Sequence, residues 1–290
     1  MKKILLLLLT PSITFALDTS LEYDYQYSNN GYSNQRTFGQ ANFNDAFVKF
    51  ERDMVVNNGE SFYVENALVA KKQKWDDVSI NFGVGGYASN LWSAKFNYLL
   101  DVTSSIAQIP GLTINFNATR NLVTSSTIGE TRYVIPHNNI YSDDQGLTAT
   151  YKAADYWTTS LNVIHKVYQD GANRDQALWT NILKVNDTYS FIHNSLYYVT
   201  QQPNDLVSGD SHKLLLNADY QILNDYTLSV QAGPALIVSN GTRAYAYSYQ
   251  AKFGTNASKK YQVAAIYGCQ ASILGFEWCQ AGITTNIPFN

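Results

Sequence analysis

His193-Asn194-Ser195 is the stretch of this sequence best suited to chemistry. A histidine two positions before a serine shares its strand face, so the imidazole could serve as general base to the hydroxyl of a nucleophilic hydrolase. No third residue that would orient the imidazole is evident in the sequence, and the other histidines (His137, His165 and His212) are scattered without metal-ligand spacing. Carboxylates do not form an acid–base pair either. Glu22 and Asp24 alternate with Tyr23 and Tyr25, which puts both acids on one wet face of a strand. Asn30-Gly31, Asn58-Gly59, Asp170-Gly171 and Asn240-Gly241 are turn chemistry, not phosphate loops. The expectation is a protein that is not an enzyme and uses no cofactor or metal. His193 and Ser195 are kept as the catalytic pair of an alternative reading.

The elements that would position these side chains are strands. Leu21 to Tyr27, Val78 to Val84 and Leu112 to Ala118 alternate apolar and polar residues without a break. Leu214 to Ile222 and Tyr226 to Ala232 do the same across a link of only Leu223-Asn224-Asp225. Successive strand side chains point to opposite faces, so each segment has one apolar and one polar face. No segment sustains a helical period with caps. Among 290 residues only 15% are charged, 22 are Tyr, and the mean hydropathy is -0.23. Such a chain has ample apolar surface to bury and is neither disordered nor a bundle of membrane helices.

The fold class expected is all-β, a single transmembrane antiparallel barrel of about sixteen strands, with fourteen as the alternative count. Ten to twelve residues per strand suit a tilted bilayer crossing, and Tyr27, Trp92, Trp157, Tyr226 and Trp278 fall near strand ends as interfacial aromatics do. Strands are expected over 19–28, 37–50, 60–71, 77–86, 91–101, 111–120, 127–135, 146–153, 156–167, 175–185, 188–199, 212–222, 226–238, 243–254, 259–269 and 276–287. With the first strand rising from the periplasm, the long links 29–36, 102–110, 136–145, 168–174 and 201–211 fall outside. The tight links 87–90, 154–155, 187 and 223–225 fall inside.

The N-terminus reads as an export signal. Lys2 and Lys3 precede the apolar run Ile4 to Leu9, and Ser12 to Ala16 offers small residues before a cleavage point. Residues 1–16 are therefore assigned to a signal peptide and 17–290 to the barrel, in the outer membrane of a Gram-negative bacterium. The formal charge of -3 and the lack of a basic patch exclude a nucleic-acid partner. Export places Cys269 and Cys279 in an oxidising compartment. A hairpin about Leu274 sets Cys269 opposite Cys279, Tyr267 opposite Ala281, Ala265 opposite Ile283 and Val263 opposite Thr285. That geometry predicts a disulfide on the outward face.

The polar faces give the candidate lumen. Glu22, Asp24, Lys95, Asn115, Asn117, Asp219 and Gln221 lie on them, with Asn97, Thr113, Asn217, Ser229 and Gln231. Lumen-lining side chains of this kind suit small hydrophilic solutes or a hydrated polysaccharide.

Tyr168-Gln169-Asp170-Gly171-Ala172-Asn173-Arg174, after the strand that starts at Trp157, resembles the Tyr-x-Asp-Gly-Asn-x-Arg type of loop in exopolysaccharide export porins. These are the poly-N-acetylglucosamine and cellulose exporters and their small stand-alone relatives. Ala172 is an insertion relative to that pattern, while Glu130-Thr131-Arg132 is similar to their Arg-bearing strands. The resemblance implies a sixteen-stranded channel for saccharide. Because this chain shows no helical repeats, it also implies a separate periplasmic partner. His193-x-Ser195 resembles the motif of outer-membrane phospholipases and lipid A deacylases, although Leu196 stands where those continue with Asn. The expected function is thus a porin-like channel surrounded by outer-membrane lipid. The alternatives are a lipid hydrolase using His193 and Ser195, and a structural or surface-recognition barrel.

Overall fold

A strand crossing hydrocarbon cannot leave its N–H and C=O groups without partners, and this chain meets that demand by closing its sheet on itself. The computed structural model describes residues 18–28, 32–43, 45–57, 60–89, 95–122, 141–169, 171–202, 205–239, 241–255, 261–272 and 277–289. In chain order the strands are β1 (Asp18–Ser28), β2 (Tyr32–Asn42), β3 (Ala46–Asn57), β4 (Glu60–Trp75), β5 (Val78–Ser89) and β6 (Lys95–Ser105). β7 (Leu112–Leu122), β8 (Tyr141–Ala154), β9 (Trp157–Tyr168), β10 (Asn173–Lys184) and β11 (Tyr189–Gln202) follow. β12 (Asp205–Leu223), β13 (Tyr226–Ser239), β14 (Thr242–Thr255), β15 (Gln262–Ser272) and β16 (Glu277–Phe289) complete the set. Each strand pairs antiparallel with its sequence neighbours, and β1 pairs with β16 to close the barrel.

Following the paired residues once around the wall returns to β1 about 20 positions from the start. With a rise of ~3.3 Å per residue and strands ~4.8 Å apart, this stagger means a tilt of about 40° and a wall about 30 Å across between backbones. Because strand number is even, Asp18 and Phe289 lie at the same end, called here the terminal end.

The alternation read from sequence sets which face is which. Leu21, Tyr23 and Tyr27 on β1, Phe82 and Val84 on β5, Leu161 and Val163 on β9, and Tyr245, Tyr247 and Tyr249 on β14 all point outward and are exposed. Trp75, Tyr151, Trp157, Tyr189, Tyr220 and Tyr226 form an outward aromatic band near the terminal end. Tyr27, Phe96, Tyr197 and Tyr245 form its counterpart near the far end. Two bands around an apolar belt are the pattern of a wall that meets lipid between two interfaces. The inward face also carries apolar side chains: Phe47, Leu68 and Ala70 with Leu99 against them, and Leu215, Ala235 and Ala246 on β12 to β14.

Several expected boundaries need correction. The expected strand 37–50 is two strands, β2 and β3, that turn at 43–45. Residues 51–57 continue β3, leaving only 58–59 before β4. The expected strand 127–135 lies outside the described residues, and β7 pairs directly with β8, so no strand stands between them. One strand gained and one removed leave the total at sixteen, but every link between them changes ends. The β6–β7 link, expected outside, falls at the terminal end, and the link after Tyr87, expected inside, falls at the far end. Residues 1–16, His137, Glu130 to Arg132 and Trp92 also lie outside the described residues.

Local chemistry explains the tight links. Asp76 adopts a positive φ of 40° in the two-residue connection between the paired Trp75 and Val78, a conformation that Asp tolerates better than bulkier residues. Asn186 Oδ1 accepts hydrogen bonds from the backbone N–H groups of Thr188 and Tyr189, both at 2.8 Å, and so shapes the β10–β11 turn.

The β15–β16 register is the one expected: Cys269 faces Cys279, Tyr267 faces Ala281, Ala265 faces Ile283 and Val263 faces Thr285. The two cysteines are joined, S–S 2.08 Å, on the outward face. Between β12 and β13 the ladder runs to Lys213–Ala235 and resumes at Leu216–Ala232. Pro234 interrupts it because it has no N–H to donate. At the same place a Cβ on Gly233 would collide with the Leu214 carbonyl.

Two outcomes test this architecture. Peptide mapping without reductant is expected to recover the fragments holding Cys269 and Cys279 as one species, whereas full alkylation of both in unreduced protein would contradict the bond. Gly233→Ala is expected to destabilise the barrel by about 1–3 kcal/mol. The urea midpoint of unfolding in detergent or lipid checks this, and an unchanged midpoint would refute the close approach.

Candidate functional site

The inward face is built by the side chains of each strand that alternate with the apolar belt. On β1 these include Ser20, Glu22 and Asp24, and the registers carry the same face to Arg36, Phe38 and Gln40 on β2. It continues to Lys49, Glu51 and Asp53 on β3. The result is an ionic network. Arg36 Nε donates to Glu51 Oε1 at 2.5 Å, and its Nη1 lies 3.8 Å from both Glu22 and Asp24. Lys49 Nζ is 3.4 Å from Glu51 and sits over the Phe38 ring, 4.9 Å from its centre.

Amides and hydroxyls cover the next part of the wall. Asn97 donates to Asn66 at 2.9 Å. Asn115 donates to Thr103 at 2.8 Å and to Asp101 at 3.1 Å. Asn162 donates to Thr148 at 2.6 Å. Asn117 extends over the spot where Gly146 on β8 has no Cβ, which leaves room for its amide.

On the opposite side, β9 to β14 present cations inward. Lys166 Nζ lies 3.7 Å from Asp144, while Arg174 stacks its guanidinium over the Tyr198 ring at 4.5 Å. Lys213 and Lys252 share that face. Tyr168, Arg174 and Thr200 are almost wholly buried, with Arg174 1% exposed, so the wall is densely packed near the 169–172 link. Asn217 donates to Asp219 at 2.9 Å nearer the terminal end. The acids of β1–β3 and the cations of β9–β14 face one another across the barrel.

Every residue expected on the polar faces is inward, but they are not one site. Glu22 and Asp24 join the Arg36 network, Asn115 and Asn117 belong to the amide wall, and Lys95 begins β6 at the far rim. Asp219 and Gln221 lie near the terminal end, where Gln221 donates to the Asn224 carbonyl at 3.4 Å. Arg36, Lys49, Glu51, Asp53, Tyr168, Arg174 and Tyr198 were not singled out as inward residues from the sequence. The first four lie on β2 and β3, the two strands joined by the unrecognised turn at 43–45.

The outward face of β9 to β12 departs from the apolar belt. Trp179 Nε1 donates to Thr159 Oγ1 at 3.0 Å, and His165 Nδ1 lies 2.7 Å from Asp175. Ser195 does not meet His193. The imidazole of His193 contacts the Asn181 amide at 3.4 Å and meets the Trp179 ring edge-on, 5.4 Å between centres. Instead Ser195 Oγ is 2.8 Å from His212 Nδ1, and His212 Nε2 is 3.2 Å from Asp210 Oδ2. Pitch explains the exchange. Same-face neighbours along one strand are about 6.6 Å apart, whereas directly paired residues of adjacent strands bring their Cβ atoms to ~4.5–5.5 Å. Ser195 and His212 are such a pair. The expected pair of His193 with Ser195 is therefore corrected to Ser195 with His212, and the third member that the sequence did not reveal is Asp210.

No protein-family model and no curated protein sequence matches the chain. Solved structures do match its fold. A bacterial polysaccharide outer membrane secretin superposes with a TM-score of 0.72 at 6% identity, over 96% of this chain and 100% of its own. A loop-deleted OmpT, an outer membrane protein of Vibrio cholerae, gives 0.55 at 9% identity over 95% and 99% of the two chains. An anion-selective porin from Comamonas acidovorans gives 0.51 at 10% identity over 95% and 99%. The chain thus has the fold of outer-membrane barrel proteins, a closed wall of sixteen antiparallel strands.

Proposed function

We propose that this chain is a passive channel of the outer membrane whose hydrated lumen passes saccharide. The observation that carries the reading is a closed wall about 30 Å across whose inward face holds charged and amide side chains, a size at which sixteen-stranded barrels enclose water. Acids on one side and cations on the other would orient dipolar solutes within that space. Neutral amides of the inward face such as Asn115 and Asn162 suit sugars, whose hydroxyls hydrogen-bond to amides. The fold shared end to end with a polysaccharide secretin, and the Tyr168 to Arg174 loop that resembles the exopolysaccharide exporters, favour saccharide over an unselective porin. The paired aromatic bands favour placement across a membrane, reached after removal of residues 1–16. A separate periplasmic protein would hand over the chain to be exported.

Conductance tests this reading. Refolded protein in planar bilayers is expected to open discrete conducting steps, and soluble oligosaccharide on one side should reduce the open current. Asp24→Lys and Asp219→Lys should each shift the reversal potential in a salt gradient toward anion preference while the barrel still assembles, because lumen substitutions tune selectivity. Tyr25→Lys, on the outward face, should instead impair assembly by ~2–4 kcal/mol if that position lies near the bilayer midplane. A heat-modifiable barrel that carries no current would sink the channel reading.

A further inference from the structure

We propose that Ser195, His212 and Asp210 form a nucleophilic site on the outer wall of the barrel that cleaves carboxylic esters of membrane lipid. Adjacent strands hold the three groups: Ser195 on β11 faces His212 on β12, and Asp210 precedes His212 by two residues on the same face. The distances are 2.8 Å from Ser195 Oγ to Nδ1 and 3.2 Å from Nε2 to Asp210 Oδ2. An ionised carboxylate can only accept, so the neutral imidazole carries its proton on Nε2 and donates it toward Asp210. That leaves the Nδ1 lone pair to accept the Ser195 hydroxyl hydrogen. The imidazole is thereby fixed in the tautomer and orientation that a general base for Ser195 requires, with the carboxylate placed to stabilise the imidazolium.

The surroundings identify the substrate. The site opens outward, where the neighbouring molecule is lipid. Below it on β12, Leu214 and Leu216 are 53% and 46% exposed, and Leu236 of β13 pairs with His212. Trp179, which pairs with Ser195, and Tyr197, which pairs with Asp210, flank it on the other side. An acyl chain laid along Leu214 and Leu216 would bring its ester to Ser195. The triad lies on the far-end side of that apolar run, away from the Tyr189–Tyr220 pair of the terminal band, so it sits toward an interface, where ester linkages reside. Polar and ionisable side chains on a lipid-facing wall are costly and mark function. Three of them joined in one directed chain have no task in holding the sheet, because the backbone ladder of β11 and β12 is complete there.

The step balances without further components. Ser195 Oγ attacks the ester carbonyl carbon as its proton passes to His212 Nδ1, giving a tetrahedral alkoxide. Collapse breaks the bond to the alcohol oxygen, which takes the proton from His212. Water, activated by the same imidazole, then hydrolyses the acyl-serine, releasing fatty acid and restoring the Ser195 hydroxyl.

The proposal depends on lipid at the outer face but not on conduction. Refolded full-length protein would be treated with a fluorophosphonate probe and the modified residue located by mass spectrometry. Fatty-acid release would be followed in two arms, vesicles of phosphatidylethanolamine and phosphatidylglycerol, and vesicles containing lipopolysaccharide. Label on Ser195 is expected, with release in at least one arm that names the lipid class. Ser195→Ala should abolish both signals, and His212→Gln should slow release by roughly 10²-fold or more. Asp210→Asn should slow it less, and His193→Gln should leave it unchanged. Heat-modifiable migration and single-channel current of each variant report the barrel and channel separately. The site is disproved if the folded barrel takes no label at Ser195, if neither vesicle releases fatty acid, or if His193→Gln is as damaging as His212→Gln.

Discussion

Backbone hydrogen bonding without a free edge is the constraint on which the rest of this structure depends. Sixteen strands joined in a ring leave no row of exposed N–H and C=O groups along the wall, so the polypeptide needs no hydrophobic core in the ordinary sense. Side chains are freed from that duty. They sort into an outward set that must satisfy lipid and an inward set that must satisfy water, which is why Leu21 and Tyr23 look one way while Glu22 and Asp24 look the other. Anything beyond those two demands has to be written as an exception on one face or the other.

Ion pairs carry different weight on the two faces. Within the lumen, the contacts of Arg36 with Glu22, Asp24 and Glu51 are partly hydrated, so each contributes little to stability and chiefly fixes where charge stands. On the outer wall a polar pair has less water around it. Arg120 lies 2.7 Å from Asp143, and Tyr98 donates its hydroxyl to the same carboxylate at 3.1 Å. Those three satisfy one another near the far end of β6 to β8, where the apolar belt gives way. The Ser195–His212–Asp210 chain stands on the same face several strands away, and its histidine and carboxylate are less completely enclosed.

Period-two alternation made the fold class, the polar faces and the Cys269–Cys279 register legible, because each follows from parity within one strand or one short hairpin. It failed where parity is broken by composition. Phe38 and Phe47 point inward, so between Thr37 and Phe50 apolar residues fall on both faces, the alternation loses its meaning and the turn at 43–45 is hidden. At Ser195 the residue was visible but its partner was not. Choosing His212 over His193 requires knowing that Gln202 pairs with Asp205, since that register alone brings Ser195 opposite His212. Pro203-Asn204 was the available signal, and placing the link there would also have brought Asp210 into view.

The seam between β1 and β16 has a kinetic meaning that its static pairing does not show. Every other ladder joins strands consecutive in sequence and can form as a local hairpin, whereas the seam joins Thr285 to the carbonyl of Tyr23 across 262 residues. Contacts at such separation carry the largest loop-closure entropy, and topology of this kind slows folding. Assembly therefore ends with one concerted meeting of the chain's two extremities. Until that moment both edges are adhesive to any other strand, including those of a second unfinished copy. The terminal hairpin, already pinned in register by its sulfur bridge, can then present β16 as a preformed edge, so that the final encounter is a docking of one ordered surface onto another.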